Sequence, residues 1–184
     1  MLKKDIISKE ILNQAAHKPL YKITSSSIIK ETGIARKTFY NNFNNIDDAI
    51  EYLFESIDNN IFDAVIYDKN ISSREAISML INVFPKKIYA KRDAIKILYT
   101  SELNGKWTKF LENRYKKMIV KYVFKDFSVA RQIISKEDAA NFYTRSFLAL
   151  LETWMSKPIP EKPEIFITHF ELLFNTSLNQ LANI

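Results

Sequence analysis

The chain has 184 residues and a formal net charge of +6, with 47% apolar and 13% aromatic residues, enough to build one generous domain or two small ones and too much for an intrinsically disordered chain. It holds two glycines and no cysteine, so dinucleotide fingerprints, phosphate loops, disulfide frameworks, thiol nucleophiles and thiolate metal sites are excluded.

Apolar residues Ile7, Ile11, Leu12 and Ala15 recur at three- and four-residue spacing and predict a first amphipathic helix ending before Pro19. In ITSSSIIKETG, Thr24 and the serines offer hydroxyl caps, Ile28 and Ile29 give a short apolar face, and Gly33 supplies the left-handed stop. IARKTFYNNF restarts a helix with Phe39 and Phe43 on one face and Arg36, Lys37, Asn41 and Asn42 directed elsewhere. Asn45 with Asp48 reads as a cap, and Ile46 to Val65 as a long apolar stripe reaching about Asp68. Ser72 with Glu75 reads as a capping box opening a helix that bends or breaks at Pro85 and resumes through Ile88 to Tyr99. Gly105 is expected to separate this from a helix carrying Trp107, Leu111, Tyr115, Met118, Ile119 and Tyr122. Ser135 caps a helix running past Phe147, Leu151 and Trp154, and three prolines, at 158, 160 and 163, connect it to a last helix striped by Phe166, Phe170, Phe174 and Leu181. No segment alternates as a strand does, so the expected fold class is all-α.

Charge is segregated. Residues 1–46 hold eight basic and three acidic side chains, 47–85 two and eight, 86–125 twelve and three, and 126–184 five and seven. The strongest basic block is thus 86–125. Over 106–125, however, Lys106, Lys109, Lys116, Lys117, Lys121 and Lys125 fall opposite the apolar stripe, the pattern of a solvated helix face.

In the first block, a helix, a glycine turn at Gly33 and a second helix led by Arg36 and Lys37 have the layout of a helix-turn-helix, whose second helix presents its first residues to base edges in the major groove. Arg36 can pair bidentately with guanine or phosphate, Lys37 adds a point charge, and Thr38, Tyr40, Asn41 and Asn42 have lengths suited to phosphates or base edges. Spacing alone leaves a second reading open, that of a short amphipathic helix with a solvated polar face.

Residues 11–54, ILNQAAHKPLYKITSSSIIKETGIARKTFYNNFNNIDDAIEYLF, resemble the N-terminal DNA-binding domain of the TetR family of transcriptional regulators, most closely in KPLYKIT, IIKETGI, RKTFYNNF and IDDAI. The segment ETWMSKPIPEKPEIFITHF is also similar to members of that family. The resemblance implies a three-helix DNA-binding domain at 1–45 and a helical effector-binding and dimerisation domain at 46–184. It further implies a homodimeric, ligand-responsive repressor on a palindromic double-stranded DNA operator. Carried across, Arg36 and Lys37 read bases, Thr38, Tyr40 and Asn42 meet phosphates, and Thr24 caps the first motif helix. Two positions depart from the family pattern: Ala35 stands where serine is common and Ile46 where lysine reaches the DNA backbone. They motivate a rival reading, an all-helical small-molecule-binding or adaptor protein that has lost DNA binding.

For the effector pocket the resemblance directs attention to Tyr89, Tyr99, Trp107, Phe110 and Phe147, and for the dimer interface to Trp154, Phe166, Phe170 and Phe174, all residues that also suit ordinary core packing. His17 and His169 have no partners at ligand spacing, and Glu31, Glu102 and Glu112 form no acid–base constellation, so neither metal, cofactor nor catalysis is expected. The N-terminus lacks the apolar run of a signal peptide and no segment reaches the ~18 apolar residues of a membrane span. With no cysteine, a soluble cytoplasmic protein with no membrane partner is the expectation.

Overall fold

The structure, a computed structural model, describes residues 2–62, 71–125, 134–176 and 180–181. The described residues form helices and connecting turns, with no strand. In chain order the helices are α1 (Lys3–Ala15), α2 (Ser25–Thr32), α3 (Arg36–Tyr40), α4 (Ile46–Phe62), α5 (Ser73–Asn82), α6 (Phe84–Ala90), α7 (Arg92–Thr100), α8 (Asn104–Met118), α9 (Lys136–Met155) and α10 (Pro163–Asn175). A 3₁₀ turn at Leu20–Lys22 precedes α2, and a π-turn at Ile119–Val123 follows α8.

By packing, the chain divides into two compact units, Met1–Asn60 with Asp93–Phe110, and Ile61–Arg92 with Leu111–Ile184. The core of the first is the expected stripe of α1, Ile7, Ile11 and Ala15, closed by Ile28, Phe39, Phe43, Ile50 and Leu53. Phe54 of α4 meets Trp107 and Phe110 of α8 with ring centroids 5.3 and 5.6 Å apart, and Tyr99 of α7 lies 6.4 Å from Trp107. Each such ring removes roughly 150–250 Å² from water, so this cluster fixes α4, α7 and the start of α8 as part of the first unit's own core.

In the second unit α5 packs on α6, α10 and the π-turn, and α9 packs on the π-turn. Phe84 sits edge-on to Tyr115 at 5.3 Å and 5.6 Å from Phe147. Tyr89 stacks on Trp154, and Trp154 stacks on Phe166 at 4.1 Å. The Trp154 indole N–H donates to the Glu161 carbonyl at 2.9 Å, which ties α9 to the proline connector.

The local capping chemistry operates as the sequence suggests. Thr24 Oγ1 accepts from the Ser27 N–H, Asn45 Oδ1 from Asp48 N–H, Ser72 Oγ from Glu75 N–H and Ser135 Oγ from Asp138 N–H. Four expectations change. The helix broken at Pro85 splits three ways: α5 ends at Val83, Pro85 takes the first turn of α6, where its missing N–H costs no hydrogen bond, and α6 gives way to α7 at Lys91. Gly105 does not separate helices but lies in the first turn of α8, and the break falls at residues 101–103. The helix expected to run evenly to Tyr122 tightens its α-helical register only to Met118 before the π-turn. The stripe to Asp68 is α-helical to Phe62, and its last part lies outside the described residues.

Candidate nucleic-acid interface

The turn between α2 and α3 rests on one residue. Gly33 has φ +66° and closes α2 by donating its N–H to the Ile29 carbonyl at 3.0 Å. A left-handed C-cap of this kind redirects the chain within two residues, so α3 starts almost at once. α2 is held from the other end by a reciprocal cap: Thr24 N–H donates to Ser27 Oγ at 3.0 Å while Ser27 N–H donates to Thr24 Oγ1 at 3.1 Å.

α3 presents Arg36, Lys37 and Asn41 to solvent, leaves Tyr40 44% exposed and buries Phe39 completely. Phe39 packs against Phe43 at 5.9 Å, and Phe43 against Tyr52 of α4 at 5.6 Å. Lys4 of α1 lies over both the Phe43 and Tyr52 rings, at 5.4 and 5.1 Å. The polar face of α3 is therefore aimed by a ring cluster anchored in two other helices. The Arg36 guanidinium lies 5.4 Å from the Tyr40 ring centroid, one helical turn on, which narrows the rotamers open to it. Asn42 Nδ2 donates to the Thr38 carbonyl at 2.7 Å, capping the end of α3. Thr38 and Asn42 are half-buried, Thr24 is exposed at the α2 cap, and Ala35 at the α3 N-cap provides no side-chain acceptor.

Two residues that shape this site escaped the sequence reading. Gln14 is 2% exposed; its Nε2 donates to Glu10 at 2.8 Å and its Oε1 accepts from Ser27 Oγ at 2.9 Å, so a buried amide on α1 holds the cap of α2. The signal was present, because Gln14 stands three residues after Ile11, where the stripe calls for an apolar side chain. Glu102, between α7 and α8, accepts the Leu20 N–H at 2.7 Å and so fastens the 3₁₀ turn before α2. Lys106 of α8 pairs with Asp47 of α4 at 2.8 Å. Nothing local marks either as a partner of this segment.

The other expected site residues fall in separate places. Tyr99, Trp107 and Phe110 belong to the ring cluster around Phe54 in the first unit. Tyr89 and Phe147 are in the second, and Phe147 lines a cavity of about 350 Å³ there. Trp154 and Phe166 are each 2% exposed within one subunit, while Phe170 and Phe174 are half-buried and stacked at 4.3 Å. What α9 and α10 leave exposed is a different set, Phe142, Tyr143, Ile165, Leu172 and Leu173, of which Phe142, Tyr143 and Leu173 line a shallow cleft with Ser146 and Ala149. The sequence hint was the composition of α10, apolar on more than one side, as a helix is when it is covered on more than one side. In the basic block Lys109, Lys117, Lys121 and Lys125 are exposed, Lys106 pairs with Asp47, and Lys116 pairs with Glu137 at 2.7 Å. Among the described residues no cluster of His, Asp and Glu could hold a metal ion, and no helix is long and apolar enough to cross a membrane.

No curated protein matches the chain. Among solved structures it is similar to the dihydroxyacetone kinase operon activator DhaS, at 16% identity over 94% of both chains and a TM-score of 0.59, a likeness of fold. Residues 75–176 match the family TetR_C_8, the C-terminal region of transcriptional regulators. That match takes in more than half of the chain, and it lies wholly outside residues 11–54, whose motifs resemble the DNA-binding domain. From these two separate stretches of sequence, the chain belongs to the TetR family of transcriptional regulators.

Proposed function

We propose that this regulator is a ligand-responsive repressor that acts as a homodimer on a palindromic operator, with residues 1–45 binding DNA and 46–184 binding the effector and the second subunit. The observation that carries the reading is the α2–α3 turn, in which a left-handed Gly33 delivers Arg36 and Lys37, both exposed, at the start of a helix whose opposite face is clamped by Phe39 and Phe43. Arg36 and Lys37 meet base edges. Thr38 and Tyr40 meet phosphates, Asn41 a phosphate or a base edge, and Asn42 uses the amide hydrogen not committed to the Thr38 carbonyl for a phosphate. Thr24 fixes the start of α2, whose N–H groups face the same backbone.

Dimerisation is assigned to α9 and α10. Their exposed apolar side chains, Phe142, Tyr143, Leu172 and Leu173, suit a self-complementary face, with Trp154, Phe166, Phe170 and Phe174 shaping it from within. The effector acts by binding one of two states better, one with recognition helices spaced for the operator and one without, since a ligand with equal affinity for both shifts nothing.

The experiment is a mobility shift with DNA from upstream of the protein's own coding sequence, at several salt concentrations, backed by selection from a random library. Specific binding with a steep salt slope is expected. If neither DNA source yields a specific site, the regulator has lost operator binding and the rival reading, a helical small-molecule-binding or adaptor protein, takes its place; the uncapped N-terminus of α3 at Ala35 is what favours that rival. The structural neighbour's name describes an operon activator. A promoter fusion therefore decides the sign: deleting the gene raises expression for a repressor and lowers it for an activator.

A further inference from the structure

The second unit holds a partly open cavity of about 350 Å³, about a dozen waters' share of liquid volume, within the range of small-molecule sites. Its inner wall is sealed: Tyr115 and Met118 of α8, Ile119 of the π-turn and Phe147 of α9 are each 5% exposed or less. Leu80 and Ile81 of α5 and Phe170 of α10 complete its sides. None of the described residues lining it is charged, six carry aromatic rings, and the Asn175 side chain is its one amide. A second observation falls on the same wall. The Phe124 N–H donates to the Ile119 carbonyl at 2.8 Å, an i to i+5 bond, so the helix widens into its π-turn where it lines the cavity. Single π-turns persist against the better α-helical geometry mostly at functional sites.

We propose that this cavity binds an uncharged, ring-containing small molecule of up to three rings. A carboxylate, sulfonate or ammonium entering it would lose its hydration with no counter-charge among the described wall residues, whereas a neutral ring exchanges water for ring contacts on several sides. This rests on the effector reading above and narrows it from any small molecule to a neutral aromatic one. Binding is read without DNA, so the two fail separately.

The test uses two dyes that share one skeleton, N-phenyl-1-naphthylamine, which is neutral, and 8-anilino-1-naphthalenesulfonate, which adds one negative charge. The protein's net charge of +6 favours the sulfonate at long range, so a preference for the neutral dye reports the cavity against that bias. Fluorescence titration of the full chain is expected to show saturable binding of the neutral dye at one per subunit, with the sulfonate at least about tenfold weaker. Ile81→Trp, at a half-buried position where the added bulk fills the cavity, should weaken the neutral dye at least about tenfold. Ile81→Lys should narrow or reverse the preference. Ile159→Ser, at an exposed position of the proline connector outside the cavity, should change neither. Sulfonate binding as tight as the neutral dye overturns the proposal, as does neutral-dye binding that survives Ile81→Trp or is lost in Ile159→Ser. A mobility shift run on the same preparation separates the readings: operator binding with no neutral-dye binding overturns the cavity proposal alone, and dye binding with no operator binding sustains it while removing the operator.

Discussion

Gly33→Ala isolates what a left-handed backbone is worth at the turn that aims α3. A Cβ built on Gly33 meets nothing within 4 Å, so no steric clash enters the cost and only the backbone remains. An L-residue held in the left-handed region costs roughly 1–2 kcal/mol, and alanine returns roughly 0.4–1 kcal/mol by restricting the unfolded chain. The net expectation is a loss of about 0–1.6 kcal/mol, the difference of those two ranges. Asparagine, which tolerates this conformation, should cost less than alanine, and valine, branched at Cβ, should cost more. The assay is urea unfolding followed by tryptophan fluorescence in a Trp154→Phe background, so that Trp107 alone reports the first unit. A lower midpoint at unchanged slope gives the stability difference. A loss above about 3 kcal/mol for alanine would mean that the open space at Gly33 is not open, and equal losses for alanine and asparagine would mean that φ is not the constraint.

Arg36→Ala or Lys37→Ala should cost roughly 1–3 kcal/mol per lost base contact and relax preference at single base pairs, while Tyr40→Phe should weaken all sequences about equally, read by competition mobility shifts. Phe142→Ser with Leu173→Ser should turn a dimer into a monomer in light scattering with helical circular dichroism retained; an unchanged mass would remove α9 and α10 as the dimer face. For pH, the Ser72 hydroxyl and N–H bond the Glu75 carboxylate and hold its pKa below the ordinary value. A depressed native pKa makes this cap's contribution complete above the unfolded glutamate pKa and lost as pH falls through the native one. Ser72→Ala should therefore lower stability at neutral pH and flatten that acid-side slope, measured by thermal unfolding across the range; a slope unchanged by the substitution would place the titration elsewhere.

What was legible in the sequence was local. Each cap needs a hydroxyl or amide three residues from its N–H, and Gly33 needs only its own φ, so Thr24, Asn45, Ser72, Ser135 and the turn could be read from a few neighbouring letters. The buried side of α3 followed for the same reason, because Phe39 and Phe43 stand four residues apart on it. The cavity was not legible, because its walls come from α5, α8, the π-turn, α9 and α10, and only packing brings Ile81 near Phe147. The π-turn was hidden by periodicity, since Met118, Ile119 and Tyr122 remain buried whether the helix there closes i to i+4 or i to i+5. Gly105 misled because scarcity suggested that each glycine marks a break, whereas the first turn of a helix, with its N–H groups unpaired in any case, accommodates glycine well.

The first unit is discontinuous along the chain, and this bears on how it is made. Phe54 packs on Trp107 and Phe110, and Leu20 bonds Glu102, yet residues 61–92 belong to the other unit. At ~5–20 residues per second, Trp107 leaves the ribosome roughly 3–10 s after Phe54, and for that interval the first unit lacks part of its own core. The α2–α3 turn is thus made well before the unit that holds it is complete, and α8 must emerge before Phe54 is covered. A gene cut at residue 60 would fix that unfinished state permanently, with Phe54 deprived of the Trp107 and Phe110 rings it packs against in the full chain.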